Sequence, residues 1–142
     1  MKNKTLPIVI AFTAIVFAAC ESKPAVTTER ATVKTEPVKT YQEIVKSDEI
    51  TDTFNVALYE TKYTFKYLIK INFKGIEATD SLRIPNLGYE PQPEIKQGEV
   101  RPSCIIGFLD DKKQFMEGNE VLFKDNQLLY HPLKSYDVSE EK

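Results

Sequence analysis

Four lysines recur at every fourth position, Lys62, Lys66, Lys70 and Lys74. In an extended chain rising ~3.3 Å per residue, that spacing sets them on one face about 13 Å apart, a row able to meet a polyanion. A platform for single-stranded nucleic acid needs aromatic rings beside its cations. Here Tyr63, Phe65, Tyr67 and Phe73 alternate with the lysines and so point to the opposite face. The row therefore reads as a solvated exterior that discourages edge pairing, and nucleic acid is not an expected partner.

A second group lies in the stretch Pro85 to Ser103, which carries Pro85, Pro91, Pro93, Pro102, Gly88 and Gly98. Irregular connections of this length are enriched in binding functions. Tyr89, Glu90 and Arg101 offer an aromatic body, a carboxylate and a planar donor fork, and form the candidate binding set. The competing reading is a rigid crossover between sheets, with a short edge strand near Glu94 to Gln97.

Metal and catalytic chemistry find less support. Asp110, Asp111, Glu117, Asn119 and Glu120 carry oxygen ligands, but counting from Asp110, Lys112 falls at the third position, where a calcium loop needs an oxygen. These acids read as solvated turn residues. His131, the single histidine, precedes Pro132 and reads as a bend residue. Cys104 adjoins the apolar run Ile105 to Leu109 and is expected to act as a small buried hydrophobe. With no nucleophile elbow, phosphate-cradling glycine loop or dinucleotide fingerprint, no cofactor, metal or enzymatic activity is expected. A hydrolase built on clustered carboxylates is the alternative.

The elements that must position these groups follow from periodicity. Phe54, Val56 and Leu58 alternate with Asn55, Ala57 and Tyr59. Tyr63, Phe65, Tyr67, Ile69, Ile71 and Phe73 then occupy every second position, a pattern that puts six apolar side chains on one face of a strand but scatters them around a helix. Lys74-Gly75, Asp110 to Lys113 and Lys124 to Gln127 punctuate as hairpin turns. Strands are expected at Ile76 to Ile84, Cys104 to Leu109, Glu120 to Phe123, Gln127 to Tyr130 and Leu133 to Asp137. The stretch Tyr41 to Thr53 is ambiguous between a short helical turn and a loop, and marks the domain border. About seven short strands favour an all-β antiparallel sandwich, immunoglobulin-like as the best specific arrangement, with a small β-barrel as rival.

The amino-terminal residues carry a separate message. Lys2 and Lys4 precede an apolar run from Leu6 to Ala19, which is 14 residues long. As a helix this reaches ~21 Å, too short for a hydrocarbon core of ~30 Å, and the layout is that of a secretory signal. The end of the run, Phe17-Ala18-Ala19-Cys20, resembles the lipobox of bacterial lipoprotein precursors, departing from it in Phe17, where that family favours Leu. The resemblance covers only the first 20 or so residues. It implies cleavage before Cys20, diacylglycerol on the Cys20 sulfur, and a protein held on a lipid bilayer by two or more acyl chains. It also implies the outer membrane as destination, because Glu21 rather than Asp follows the cysteine; periplasmic and surface faces stay open.

The expected organisation is thus a signal peptide at 1–19, a lipidated amino terminus and tether at 20–49, and a β-sandwich at 50–142. The tether, rich in Lys, Glu, Thr, Pro and Ala, lacks an apolar face that could offset the entropy of ordering it. With 142 residues in all, there is room for one domain. Nineteen basic against 21 acidic side chains give a formal charge of −2, which does not imply a bulk polyanion binder. Cys20 and Cys104 are the only cysteines, so lipidation of Cys20 leaves the mature chain without an internal disulfide. Together these features point to a membrane-anchored envelope lipoprotein that works as a binding or assembly module, its partner an envelope protein, a peptide or a glycan. A purely structural lipoprotein is the further alternative.

Overall fold

A computed structural model describes residues 26–136; the leader and Cys20 lie outside them. The described residues form eight strands and no helix: β1 Lys39–Lys46, β2 Thr51–Glu60, β3 Lys66–Phe73, β4 Ile76–Arg83, β5 Pro93–Gln97, β6 Ser103–Leu109, β7 Phe115–Lys124 and β8 Gln127–Pro132. They build two four-stranded antiparallel sheets, β1-β2-β3-β4 and β5-β6-β7-β8, which stay open. This is the expected antiparallel sandwich. Its connectivity is simpler than the immunoglobulin-like arrangement, in which the chain passes repeatedly between sheets. Here each sheet is a meander, and one crossover, from β4 to β5, joins them.

The alternation puts Phe54, Val56 and Leu58 of β2 and Tyr67, Ile69, Ile71 and Phe73 of β3 in the core, against Ile106 and Phe108 of β6 and Val121 of β7. Burying each of these large side chains contributes about 1.5–3 kcal/mol. Phe54, Phe73 and Phe123 stack edge to face at 5.8 and 4.8 Å between centroids, the geometry favoured by ring quadrupoles. Lys74 and Gly75 turn β3 into β4 with φ of 51° and 72°, and Asp125 and Asn126 turn β7 into β8 with φ of 51° and 59°. Positive φ at both central residues matches hairpin turns to the strand twist. At Gly107 the β6–β7 register shifts, and a Cβ there would collide with the Met116 carbonyl.

Three expectations change. The stretch 39–46, read as tether and domain border, is strand β1, paired along its length with β2. Its core-facing side carries Tyr41, Glu43 and Val45 while Ile44 is 63% exposed, so the alternation is broken by a buried acid and an exposed isoleucine. The β3 strand starts at Lys66 rather than Tyr63. Thr61 Oγ1 donates to Lys66 O at 2.7 Å, closing a turn that leaves Tyr63 43% exposed and buries Thr64. Residues 133–136 extend from β8 without joining a ladder; Leu133 and Lys134 instead donate their N–H groups to Gly118 O.

Candidate functional site

The residues Tyr89, Glu90 and Arg101 do not converge. Arg101, in the β5–β6 connection, directs its Nε at Glu43 Oε1 of β1. The Glu43 side chain is 4% exposed, so this ion pair neutralises a carboxylate that faces the core. Tyr41 donates its hydroxyl to the other Glu43 oxygen at 3.0 Å. Burial, reinforced by that carboxylate, pushes the Tyr41 phenol up to about 12. The guanidinium that the sequence offered to a ligand is thus engaged in holding the β5–β6 connection against β1.

Tyr89 donates to Leu109 O at 3.3 Å and lines an apolar recess of ≈ 350 Å³ with Leu87, Phe108, Met116 and Tyr136. Partial burial raises its phenol, with Asp111 and Asp110 adding to the effect. Glu90 lies in a different groove, of ≈ 310 Å³, with Lys34, Lys39, Glu60 and Tyr67. The excursion carries β5 as the short edge strand of the second sheet and so serves as the crossover between sheets.

The acidic group near residue 110 has local work. Asp110 Oδ1 accepts the N–H groups of Lys112 at 2.9 Å and Gln114 at 2.8 Å, closing the β6–β7 turn. Glu117 faces Lys134 at 3.7 Å, and His131 stands opposite Glu120 on β7. Among the described residues, no group of three or more His, Cys, Asp or Glu side chains is placed to hold a metal ion. Cys104 is fully buried, and desolvation pushes its thiol up to about 12, which keeps it protonated and inert near neutrality.

The outer face of the first sheet offers a more coherent arrangement. Asn55, Ala57 and Tyr59 of β2 lie beside Lys70 and Asn72 of β3, and those beside Thr79 and Glu77 of β4. These seven side chains frame a shallow depression of ≈ 500 Å³. Asn72 Nδ2 donates to Glu77 Oε1 at 3.2 Å, and Asn55 Nδ2 to Thr53 O at 3.1 Å, so both amides are pre-oriented. Lys70 Nζ sits 4.7 Å from the centre of the Tyr59 ring. The sequence placed Tyr59 on the polar side of its strand; which lysine it would meet depends on the β2–β3 register, a long-range pairing.

The lysine row does not act as a row. Lys62 lies over Tyr63 at 4.8 Å, and Lys74 lies over Phe73 and Phe123 at 5.5 and 5.4 Å. Lys66 faces Arg83 across β3 and β4. Phe73 and Phe123 are core rings that Lys74 reaches from the turn after β3, whereas on the outer face Tyr59 of the neighbouring strand meets Lys70, a pairing that alternation within one strand does not reveal.

One further anchor, Arg30, falls in the stretch read as tether. Its side chain is 7% exposed. The guanidinium donates to Thr61 O at 3.0 Å, Thr64 O at 2.6 Å, the Tyr63 carbonyl, and the Tyr67 hydroxyl at 2.8 Å. It also sits 4.9 Å from the centre of the Tyr67 ring. An arginine supplies five donors in a rigid fork, which is why one side chain can gather so many carbonyls. Comparison with known protein families, with curated proteins and with solved structures finds no match to this chain.

Proposed function

We propose that the protein is a lipid-anchored lipoprotein of the bacterial cell envelope, held on the outer membrane through an acylated Cys20, and that it acts by binding an envelope glycan on the outer face of its first sheet. The leader supports the anchor: a short apolar run that ends at a cysteine after two small residues. The depression around Tyr59 supports the ligand class and is the observation that carries the reading. Asn55, Asn72, Thr79, Glu77 and Lys70 supply donors and acceptors in balance, one carboxylate offsetting one ammonium. Such a set suits the many hydroxyls of an uncharged saccharide rather than an ion. Ala57 leaves the floor low, and Tyr59 adds an aromatic flank whose polar tip can join the hydrogen bonding.

Titration of the detergent-solubilised protein with a panel of neutral oligosaccharides tests this. Saturable binding that Tyr59→Ala and Asn72→Ala abolish without lowering the melting temperature is the expected result. Binding that survives both substitutions overturns the assigned face, and capture of a protein or peptide at the Tyr89 or Glu90 recess instead would replace the glycan as partner.

A further inference from the structure

The backbone joins the sandwich much earlier than its composition suggests. Thr28 O accepts from Thr64 N at 3.0 Å, Glu29 pairs with Tyr63, and Arg30 N donates to Lys62 O at 2.8 Å. Only eight residue steps separate Cys20 from Thr28. At no more than ~3.6 Å per residue they span at most ~29 Å. A lipid on Cys20 therefore keeps the Thr28 end of the sandwich close to the bilayer, whatever path the intervening residues take.

That same end carries a recess of ≈ 380 Å³ walled by Thr28, Tyr63, Phe65, Lys66 and Arg83. Lys66 and Arg83 are direct cross-strand partners on the outer face. Like charges placed opposite each other repel, and neither ion-pairs among the described residues. The pair thus lacks the neutralising partner that Glu43 gives Arg101. Tyr63, 43% exposed beside it, is an amphipathic ring of the kind found at headgroup level. The chain as a whole is acidic, at −2, so a negatively charged surface attracts this corner while repelling the average exterior.

We infer that the Lys66–Arg83 recess receives the phosphate of an anionic lipid headgroup and seats the Thr28 end of the sandwich on the membrane. The inference rests on the lipid anchor at Cys20 and adds an orientation to it: β3 and β4 stand with their Lys66 and Arg83 ends at the bilayer, and the Tyr59 depression lies farther along the same face.

The chain has no tryptophan, so Tyr63→Trp in the full-length lipidated protein installs a single reporter at the rim. The variant is reconstituted into vesicles with brominated acyl chains, made of phosphatidylcholine alone or of phosphatidylcholine with phosphatidylglycerol. Flotation with both vesicle types establishes the anchor independently. Several-fold stronger quenching of the indole in the phosphatidylglycerol vesicles is expected, lost in high salt and lost with Lys66→Gln plus Arg83→Gln. The charge-matched pair Lys46→Gln plus Lys124→Gln, at the other end of the strands, retains it. Protein that floats with both vesicle types yet shows equal quenching in each, or quenching indifferent to Lys66 and Arg83, overturns the headgroup site and leaves the anchor standing. Protein that fails to float removes the anchor and the inference with it. A saturable emission shift with inorganic phosphate in detergent, without vesicle-dependent quenching, reassigns the recess to a free oxyanion and likewise overturns the headgroup.

Discussion

The two ends of the sandwich are each locked by one arginine, and the locks differ in kind. At the end where Lys74-Gly75 and Asp125-Asn126 make tight turns, Arg101 reaches across to the buried carboxylate of Glu43. Charge answers charge there, and the guanidinium is 62% exposed. At the opposite end, where the connections are long, Arg30 is sunk among backbone carbonyls and the Tyr67 ring, with Glu60 at 3.8 Å. That lock fastens an amino-terminal strap rather than one strand to another. The hairpin end is closed by the requirements of folding. The strap end also presents an opposed cation pair, Lys66 and Arg83, that folding alone leaves unanswered.

Removing each lock separates these roles. Arg30→Ala leaves several carbonyls and the Tyr67 hydroxyl without their charged donor, which costs about 2–3 kcal/mol; the urea midpoint falls accordingly. It should also open residues 26–38 to thermolysin before the sheets are cut, a change seen as an early fragment beginning after the strap. Arg101→Ala orphans the buried Glu43 carboxylate. Because the arginine is largely exposed and screened by water, the loss is smaller than that for a fully buried pair and smaller than that for Arg30→Ala, read as a lesser fall in the urea midpoint. Adding Glu43→Gln recovers part of it. Equal stability of Arg101→Ala and the parent protein would return Arg101 to the pool of ligand-binding candidates.

Much of the first sheet is legible in the sequence because its strands obey one rule. Phe54 to Leu58 and Tyr67 to Phe73 alternate strictly, and the tight turn at Gly75 matches the β3–β4 hairpin, as the turn at Asn126 matches β7–β8 in the second sheet. β1 is hidden for the same reason: its core-facing Glu43 is acceptable only because Arg101, 58 positions away, supplies the counter-charge. No local pattern encodes that pairing. The depression around Tyr59 is half legible, since the outward positions of β2 can be read but their neighbours on β3 and β4 cannot. Tyr89, Glu90 and Arg101 share a loop in sequence and separate in space because β5 intervenes and joins the second sheet.

Alkaline pH probes the core beneath both ends. Burial pushes the Cys104 thiol and the Tyr67 phenol up to about 12, so the unfolded chain releases these protons at lower pH than the folded one. The stability they contribute is complete below pH ~9, near the unfolded thiol value, and is lost as pH rises from there to about 12. Melting temperatures should decline across that window, and Cys104→Ala should shallow the first part of the decline. The smallest effect is the most pointed. Lys66→Gln relieves the repulsion with Arg83 and should raise stability by ~0.2–0.5 kcal/mol, the signature of charges kept at some cost to the fold. A loss of stability instead would mean the pair is held together by interactions inside the sandwich.

The mature amino terminus offers the most direct test of a domain tied by its strap end to a bilayer. Intact-mass and peptide mass spectrometry of the membrane fraction should find a chain that begins at Cys20 and carries diacylglycerol on its sulfur. A chain that begins at any other residue, or an unmodified Cys20 in soluble protein, would contradict it.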